Sequence, residues 1–341
     1  MRKLYKHFFL ILFVTSAVGF VVLCYFLMPW PSSSVPQEYG VTWSRPYAES
    51  LGLDSDQGLA AVLDDLQVKK IRLPAYWPDV QPTWDGFEWE KLDRELDLIA
   101  AKGAKATVVV GVKQPRWPEY WMPRWAQEMS SIASLEQAQL TYVEAVIRRY
   151  AEHPAVESWQ VENEPFLMFG EGRIQSREFV LREMKLVKDI ELARAEDRRR
   201  PIHVTDSGEL SFWLHFSGEA DGLGVSVYRV VQSPLLGTIR YWFLPPWFYA
   251  RKAFLLARWI GPVYVSEFQM EPWADRPLIE VPLTEQFQTM STKQLDKNLA
   301  YAKRLQMPRV YFWGAEWWYW LKTKQNHPEF WEKMKIFLTG D

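Results

Sequence analysis

The stretch that decides the fold is residues 89–112, WEKLDRELDLIAAKGAKATVVVGV. Its first part predicts a helix over residues 89–102 with an apolar stripe at i, i+4, i+7 and i+8, formed by Leu92, Leu96, Ile99 and Ala100. Gly103 follows, where glycine commonly ends a helix. Residues 106–112 form a short β-branched run, which predicts a buried strand. Together they form the helix and strand of a β/α repeat around a parallel sheet.

The same alternation extends along the chain on both sides of this stretch. Eight strands are predicted, at residues 39–43, 70–74, 106–112, 156–161, 202–205, 222–227, 263–267 and 309–313. The helices between them are clearest at residues 56–66, 89–102, 135–152, 177–197 and 292–305. The fifth and sixth helices are poorly marked. Eight such pairs in about 300 residues, with no linker between them, predict the α/β class and one (β/α)8 TIM barrel.

The composition excludes several classes of protein. With 48% hydrophobic and 24% charged residues among 341, the chain is a folded protein, because a disordered chain would be less apolar. The net charge of −2 argues against a nucleic-acid partner. One cysteine and five scattered histidines argue against a disulfide scaffold and a Cys/His zinc site. No glycine-rich phosphate loop follows a predicted strand, and no Asp/Glu/His group has metal-ligand spacing, so neither a cofactor nor a metal is predicted.

The N-terminal segment is predicted to be a separate unit. Residues 8–28 carry no charged side chain and would span about 30 Å as a helix, the thickness of a bilayer core. Basic residues precede this segment, so residues 1–30 are predicted to be a cytoplasmic stub and transmembrane signal anchor. A Pro/Ser linker at residues 31–38 then leads to the barrel, residues 39–341, outside the cytoplasm. A cleaved signal peptide, which would give a secreted protein, is the alternative.

Polar and aromatic residues stand where the predicted strands end, which is the end of a TIM barrel that carries the chemistry. Strand four ends in Glu162, Asn163 and Glu164, and strand seven ends in Glu267. The other candidates at or after the strand ends are Arg72, Trp77, Trp117, Tyr228, Trp313 and Glu316. Carboxylates, amides, an arginine and aromatic rings therefore dominate this rim.

Two of these segments resemble the large clan of retaining glycoside hydrolases built on (β/α)8 barrels. WQVENEP at residues 159–165 is similar to the clan's Asn-Glu-Pro signature, and VYVSEF at residues 263–268 is similar to its nucleophile strand. Arg72, Tyr228 and Trp313 each stand where the clan carries that residue type. The resemblance covers about residues 39 to 320, which is most of the predicted barrel.

The resemblance implies a role for each of these residues. Glu164 would be the acid/base and Glu267 the nucleophile, held ionised by Arg72 and the Tyr228 hydroxyl. Asn163 would bind the sugar 2-hydroxyl, and Trp313 would stack against a sugar ring. Physical reasoning agrees, because retaining hydrolysis needs two carboxyl groups about 5 Å apart. Two glutamates so far apart in sequence can meet only across a closed barrel.

Several assignments have a competing interpretation. Trp77 and Trp117 are predicted sugar platforms that could instead be loop core, and Tyr228 could be an interior packing residue. Glu316 is a predicted substrate contact that could equally form a salt bridge. Glu162 lies two residues before Glu164, which puts both on one face of a strand, and we expect it to orient a neighbour.

The aromatic segment at residues 241–260 also has two interpretations. Ordinary packing of the sixth barrel helix is preferred, and an apolar patch resting on a bilayer is the alternative.

The predicted function is a membrane-anchored retaining glycosidase with a carbohydrate substrate and a lipid bilayer as its partners. A barrel that binds glycans without cleaving them, or a transglycosylase with the same two carboxylates, is the alternative. The sugar and linkage are not assigned, because cellulase-like, mannanase-like and galactosidase-like members share all these residues.

Overall fold

The predicted TIM barrel is present in the computed structural model, which describes residues 2–28, 37–233, 237–274 and 276–340. Its strands are β1 (Glu38–Thr42), β2 (Lys70–Pro74), β3 (Lys105–Val110), β4 (Val156–Val161), β5 (Ile202–Ser207), β6 (Gly222–Val227), β7 (Val230–Ser233), β8 (Gly237–Arg240), β9 (Val263–Gln269) and β10 (Arg309–Trp313). Eight of them close a barrel of parallel strands in the order β1-β10-β9-β6-β5-β4-β3-β2. All eight predicted strands are thereby confirmed.

Helices pack around this barrel. They are α1 (Arg2–Leu27), α2 (Arg45–Ser50), α3 (Ser55–Asp64), α4 (Trp77–Val80), α5 (Glu90–Ala101), α6 (Arg124–Gln127), α7 (Ile132–Tyr150), α8 (Arg177–Leu192), α9 (Trp247–Ile260), α10 (Leu283–Thr289), α11 (Thr292–Ala302), α12 (Ala315–Lys324) and α13 (Glu329–Thr339). The five clearest predicted helices correspond to α3, α5, α7, α8 and α11. Four of these five begin at a capping side chain that accepts a backbone N–H, namely Asp54, Ser131, Ser176 and Ser291.

The helix α5 shows how the sequence pattern becomes packing. Leu92, Leu96 and Ile99 of its apolar stripe are buried against the barrel, and Ala100 is half-buried. Gly103 ends the turn with a φ of 62°, a left-handed conformation that glycine adopts without strain. The chain then enters β3, whose residues from Ala106 to Val110 are buried.

The connection after β5 differs from the prediction. Residues 208–221 join β5 directly to β6, and this described segment contains turns and no helix. Side chains hold it instead: the Ser207 hydroxyl accepts the Leu210 N–H at 3.2 Å, and buried Trp213 donates to the Ser207 carbonyl at 2.9 Å. The weak fifth helix signal therefore marks a loop. The sixth helix is α9, which follows the antiparallel hairpin β7–β8.

The N-terminal helix contacts α9 near its own C-terminal end, where Phe26 packs on Phe248. The helical conformation predicted for residues 8–28 is present in α1, and its described side chains from Leu12 to Leu23 are exposed. Over the part of the chain that the structure describes, no helix is long and apolar enough to cross a membrane. The membrane span therefore stays a prediction. Most of the predicted linker at residues 31–38 lies outside the described residues.

Candidate active site

The carboxylate of Glu267 lies at the carboxyl end of the barrel with a donor on each oxygen. Glu267 is buried on β9, the seventh barrel strand. Arg72 on β2 donates from Nη1 to its Oε1 at 2.8 Å, and the Tyr228 hydroxyl after β6 donates to its Oε2 at 2.9 Å. The Arg72 side chain is fully buried, so this ion pair is shielded from water. Both contacts expected from the sequence are present, and together they suit an ionised carboxylate.

Glu164 follows β4 and is held by a different set of contacts. Its Oε1 accepts a hydrogen bond from the Ser226 hydroxyl of β6 at 2.7 Å, and its N–H donates to Thr205 Oγ1 of β5 at 2.9 Å. Lys113 Nζ donates to its carbonyl oxygen at 2.8 Å. Ser226 stands opposite Glu267 in the β6–β9 register, so the residue that donates to Glu164 is paired with Glu267 on the neighbouring strand. A single hydroxyl donor, Ser226, contacts the Glu164 carboxyl group, whereas Glu267 has the Arg72 guanidinium.

The environment of Glu164 favours its protonated form. Burial, and then the negative charge of Glu267, raise the pKa of Glu164 from 4.5 to about 8, although the Ser226 hydrogen bond acts in the opposite direction. These surroundings favour the carboxylic acid form of Glu164. Two chemically identical side chains thus meet different conditions, one beside a guanidinium and one beside a hydroxyl and a second carboxylate.

Asn163 connects the two glutamates and reveals a third carboxyl group. Its Oδ1 accepts from Arg72 Nη2 at 2.6 Å and from the Thr205 hydroxyl at 3.2 Å. Its Nδ2 faces Glu119 Oε2 at 3.4 Å. Burial and the charge of Glu267 raise the pKa of Glu119 well above its usual range. Glu119 was missed in the sequence because it lies in a loop after β3 with no periodic pattern around it.

Trp313 and Glu316 belong to a neighbouring cluster centred on Arg116. The Arg116 guanidinium lies between the rings of Tyr47 and Trp313, 3.9 and 4.0 Å from their centroids. It forms ion pairs with Glu271 and, at 2.6 Å, with Glu316, which is fully buried. Glu316 is thus a salt-bridge partner, and the interpretation of it as a substrate contact is wrong. Arg116 covers a face of the Trp313 ring that was expected to stack against sugar.

The two predicted tryptophan platforms have different environments. Trp77 is fully buried in α4, where its Nε1 donates to Gln81 at 3.0 Å and its ring stacks on Tyr142. Its assignment as a sugar platform is wrong, because no face is open to a ligand. Trp117 is 58% exposed on the rim.

Trp117 begins a row of aromatic rings that leads into the site. It contacts Phe169, which contacts Trp273, and Trp273 contacts Tyr228, with centroid distances of 5.9, 5.7 and 5.4 Å. Tyr228 in turn bonds Glu267. This row gives the rim an apolar wall of the kind that sugar rings pack against.

Glu162 supports the loop after β3. It is fully buried, and its two oxygens accept the N–H groups of Val112 at 2.9 Å and Lys113 at 2.6 Å. The expected orienting role fits these contacts. The expectation that it shares a strand face with Glu164 is wrong, because β4 ends at Val161 and both glutamates have a positive φ, 59° and 46°.

Solved structures share this architecture at low sequence identity. A family 10 endo-β-1,4-xylanase from Gloeophyllum trabeum aligns over 89% of this chain and 97% of its own, with a TM-score of 0.58 and 14% identity. A family 5 subfamily 18 glycoside hydrolase from Streptomyces cattleya, solved with GlcNAc, aligns over 82% and 71%, with a TM-score of 0.55 and 15% identity. The chain shares the barrel fold of these glycoside hydrolases. No family model and no curated protein sequence matches it.

Proposed function

We propose that this chain is a retaining glycoside hydrolase that cleaves O-glycosidic bonds of an oligo- or polysaccharide. The observation that carries the proposal is the paired contact set of Glu164 and Glu267. One carboxyl group is buried beside a hydroxyl, with a pKa raised to about 8, and the other accepts from Arg72 and Tyr228. A retaining mechanism needs one carboxylic acid and one carboxylate at the same sugar.

In the first step, Glu164 gives its proton to the leaving glycosidic oxygen while Glu267 attacks the anomeric carbon. A covalent glycosyl-enzyme forms on Glu267, and its negative charge is lost. The charge of Glu267 is one cause of the raised pKa of Glu164, so its loss lowers that pKa. Glu164 is then a base, which takes a proton from the water that hydrolyses the intermediate.

The remaining contacts support these steps. Arg72 holds Glu267 and Asn163 in one network through two of its nitrogens, which fixes the nucleophile relative to the amide expected at the sugar 2-hydroxyl. Buried Gln160 accepts from the third nitrogen of Arg72 at 2.7 Å, so the guanidinium has a partner on every side.

A panel of aryl glycosides tests the proposal. It should include β-mannosides, β-xylosides and β-galactosides, because structural neighbours include a hydrolase solved with Manβ1-4GlcNAc, a xylanase and a β-galactosidase. On the glycoside that is turned over, Glu164→Ala should spare a good leaving group and abolish turnover of a poor one. Equal losses of turnover on good and poor leaving groups would contradict the acid role of Glu164. If the chain binds glycosides of the panel and turns over none of them, a glycan-binding barrel is favoured.

We also propose that residues 8–28 anchor the barrel in a membrane with its site outside the cytoplasm. The apolar side chains of α1 support this, since Phe13, Phe20 and Val21 are each more than 60% exposed in the structure. Basic residues Arg2, Lys3 and Lys6 precede the segment. Mass spectrometry of the mature N-terminus from a membrane fraction tests the anchor. Loss of the first 30 residues would show a cleaved signal instead.

A further inference from the structure

The outer face of α9 is apolar and open to solvent. Phe254 and Trp259 are 66% and 52% exposed, and Leu255 lies between them on the same face. Tyr249 and Ile260 on the inner face are buried, so α9 packs on the barrel and still leaves large apolar groups uncovered. The helix carries Arg251, Lys252 and Arg258 and no acidic residue.

Two further segments, one in contact with α9 and one just before it in the chain, also expose apolar side chains. The loop after β5 presents Leu210, Phe212 and Leu214, and the segment before α9 presents Trp242 and Phe243, all exposed. The loop is attached to α9: the Gly218 N–H and the Ser217 hydroxyl donate to the Trp259 carbonyl at 2.9 and 3.0 Å. Lys252 of α9 donates to the Ser211 carbonyl of the same loop.

We call these residues the α9 patch, which consists of Leu210, Phe212, Leu214, Trp242, Phe243, Phe254, Leu255 and Trp259. Phe212 and Trp242 are 84% and 82% exposed, and a large group of exposed apolar side chains is typical of an interaction surface.

The helix α9, which carries three of the patch residues, contacts the apolar helix α1. Phe26 near the end of α1 packs on Phe248 of α9, with ring centroids 5.3 Å apart, and the Arg251 guanidinium lies 4.6 Å from the Tyr25 ring centroid. The exposed side chains of α1 and the patch therefore form neighbouring apolar surfaces. The lipid around an inserted α1 would be the nearest apolar medium for the patch.

We infer that the α9 patch docks on the surface of an anionic bilayer next to α1. Exposed aromatic rings beside the exposed Arg258, on a helix without acidic residues, are the composition of an interfacial segment, and this positive charge complements anionic headgroups. The inference rests on the anchor proposed above and not on the reaction. Because the patch includes the loop after β5, docking places one rim of the barrel mouth at the headgroups.

Three fluorophore positions in the full-length chain separate docking from anchoring. Cys24 is the single cysteine and lies in α1, so an NBD label on it reports insertion of that helix. In a Cys24→Ser background, Leu255→Cys places the label in the patch, and Ile132→Cys places it at an exposed position at the start of α7. The proteins are reconstituted in phosphatidylcholine vesicles containing phosphatidylglycerol and a nitroxide lipid labelled near the headgroup.

We expect the nitroxide to quench the label at 255 at least about twofold more than the label at 132. Quenching at 24 with equal, weak quenching at 255 and 132 would overturn docking and leave the anchor standing. Absence of quenching at both 24 and 255 would contradict both. Crosslinking of Leu255→Cys to a second copy without quenching would also overturn docking, because it would show a protein on the patch.

The variant Phe254→Ser/Leu255→Ser adds a measurement that does not depend on the label. In vesicles, hydrogen exchange of the loop at residues 208–221 should be slower in the parent chain than in this variant. Equal exchange rates would argue against docking. Turnover of a soluble aryl glycoside should be the same for the parent chain and the variant. If neither shows glycosidase activity, the proposed reaction is refuted, and the comparison of exchange rates still tests docking.

Discussion

The acid role proposed for Glu164 is adjusted by a single hydrogen bond. Glu164 differs from Glu267 in having a serine hydroxyl where Glu267 has a guanidinium. The Ser226 hydrogen bond stabilises the ionised form of Glu164 and so lowers its pKa against burial and the charge of Glu267. A change at this one atom should move the pH range in which Glu164 is an acid.

Ser226→Ala should shift the alkaline limb of activity to higher pH. In the parent, kcat/KM for a substrate with a poor leaving group should fall as pH rises through about 8, because Glu164 loses its proton there. Without the Ser226 hydroxyl the pKa of Glu164 rises further, so kcat/KM begins to fall at a higher pH. Ser158→Ala is the control, since Ser158 is buried in the barrel and bonds Thr107 instead. A limb that stays in place or moves to lower pH in Ser226→Ala would argue against the assignment.

The sequence predicts the positions of site residues that lie on or directly after a strand. It does not predict the positions of residues that depend on the conformation of a loop. Arg72, Asn163, Tyr228 and the two glutamates lie at strand ends, whose direction the barrel fixes. The position of Arg116 depends instead on a loop in which its own φ is 79°, and no periodic pattern encodes that turn. The cluster of Arg116 with Trp313 and Glu316 could therefore not be foreseen.

The sequence pattern does not predict the conformation of α4 or of the loops after β3 and β5. Trp77 and Trp117 both follow a strand in an aromatic-rich segment, and composition alone does not distinguish them. The short helix α4 turns Trp77 inward onto Tyr142, whereas the loop after β3 leaves Trp117 on the rim. By contrast, the periodic segments that formed α3, α5, α7, α8 and α11 were predictable because their apolar stripes repeat over several turns.

The two tryptophans should respond oppositely to truncation. Trp77→Ala should lower the free energy of unfolding by about 3–5 kcal/mol, because it leaves a cavity beneath the site. Trp117→Ala should change stability by less than about 1 kcal/mol and raise KM for an oligosaccharide severalfold, with little effect on an aryl monosaccharide. Urea unfolding and steady-state kinetics measure the two effects. A stable Trp77→Ala or an unchanged KM in Trp117→Ala would contradict these placements.

Across the whole molecule, the barrel buries several carboxyl groups that prefer to be protonated. Burial raises the pKa of Glu162 and Glu209 to about 7 and that of Glu95 and Glu164 to about 8. Each binds a proton more tightly in the folded chain than in the unfolded one, where the pKa is near 4.5. Stability from these groups is therefore lost as pH rises from that value through the folded pKa.

The melting temperature should accordingly fall between about pH 6 and about pH 9. In the parent chain the Tyr249 hydroxyl donates to the Glu209 carboxyl group at 2.5 Å. Glu209→Gln should reduce the fall of the melting temperature with pH, because the amide stays neutral beside Tyr249 over the whole range. Thermal unfolding followed by circular dichroism at several pH values provides the measurement. A melting temperature that is constant or rises over this range would show that the buried acids are ionised in the folded chain.

The most direct test of the account is chemical rescue of a Glu267 variant. Glu267→Ala should lower turnover of an activated aryl glycoside by several orders of magnitude, and azide should restore it by attacking from the vacated side. The product should be a glycosyl azide with inverted anomeric configuration, identified by NMR, with Glu267→Gln as a second inactive variant. Near-normal turnover by Glu267→Ala, or an azide product of retained configuration, would contradict the assignment of Glu267 as the nucleophile.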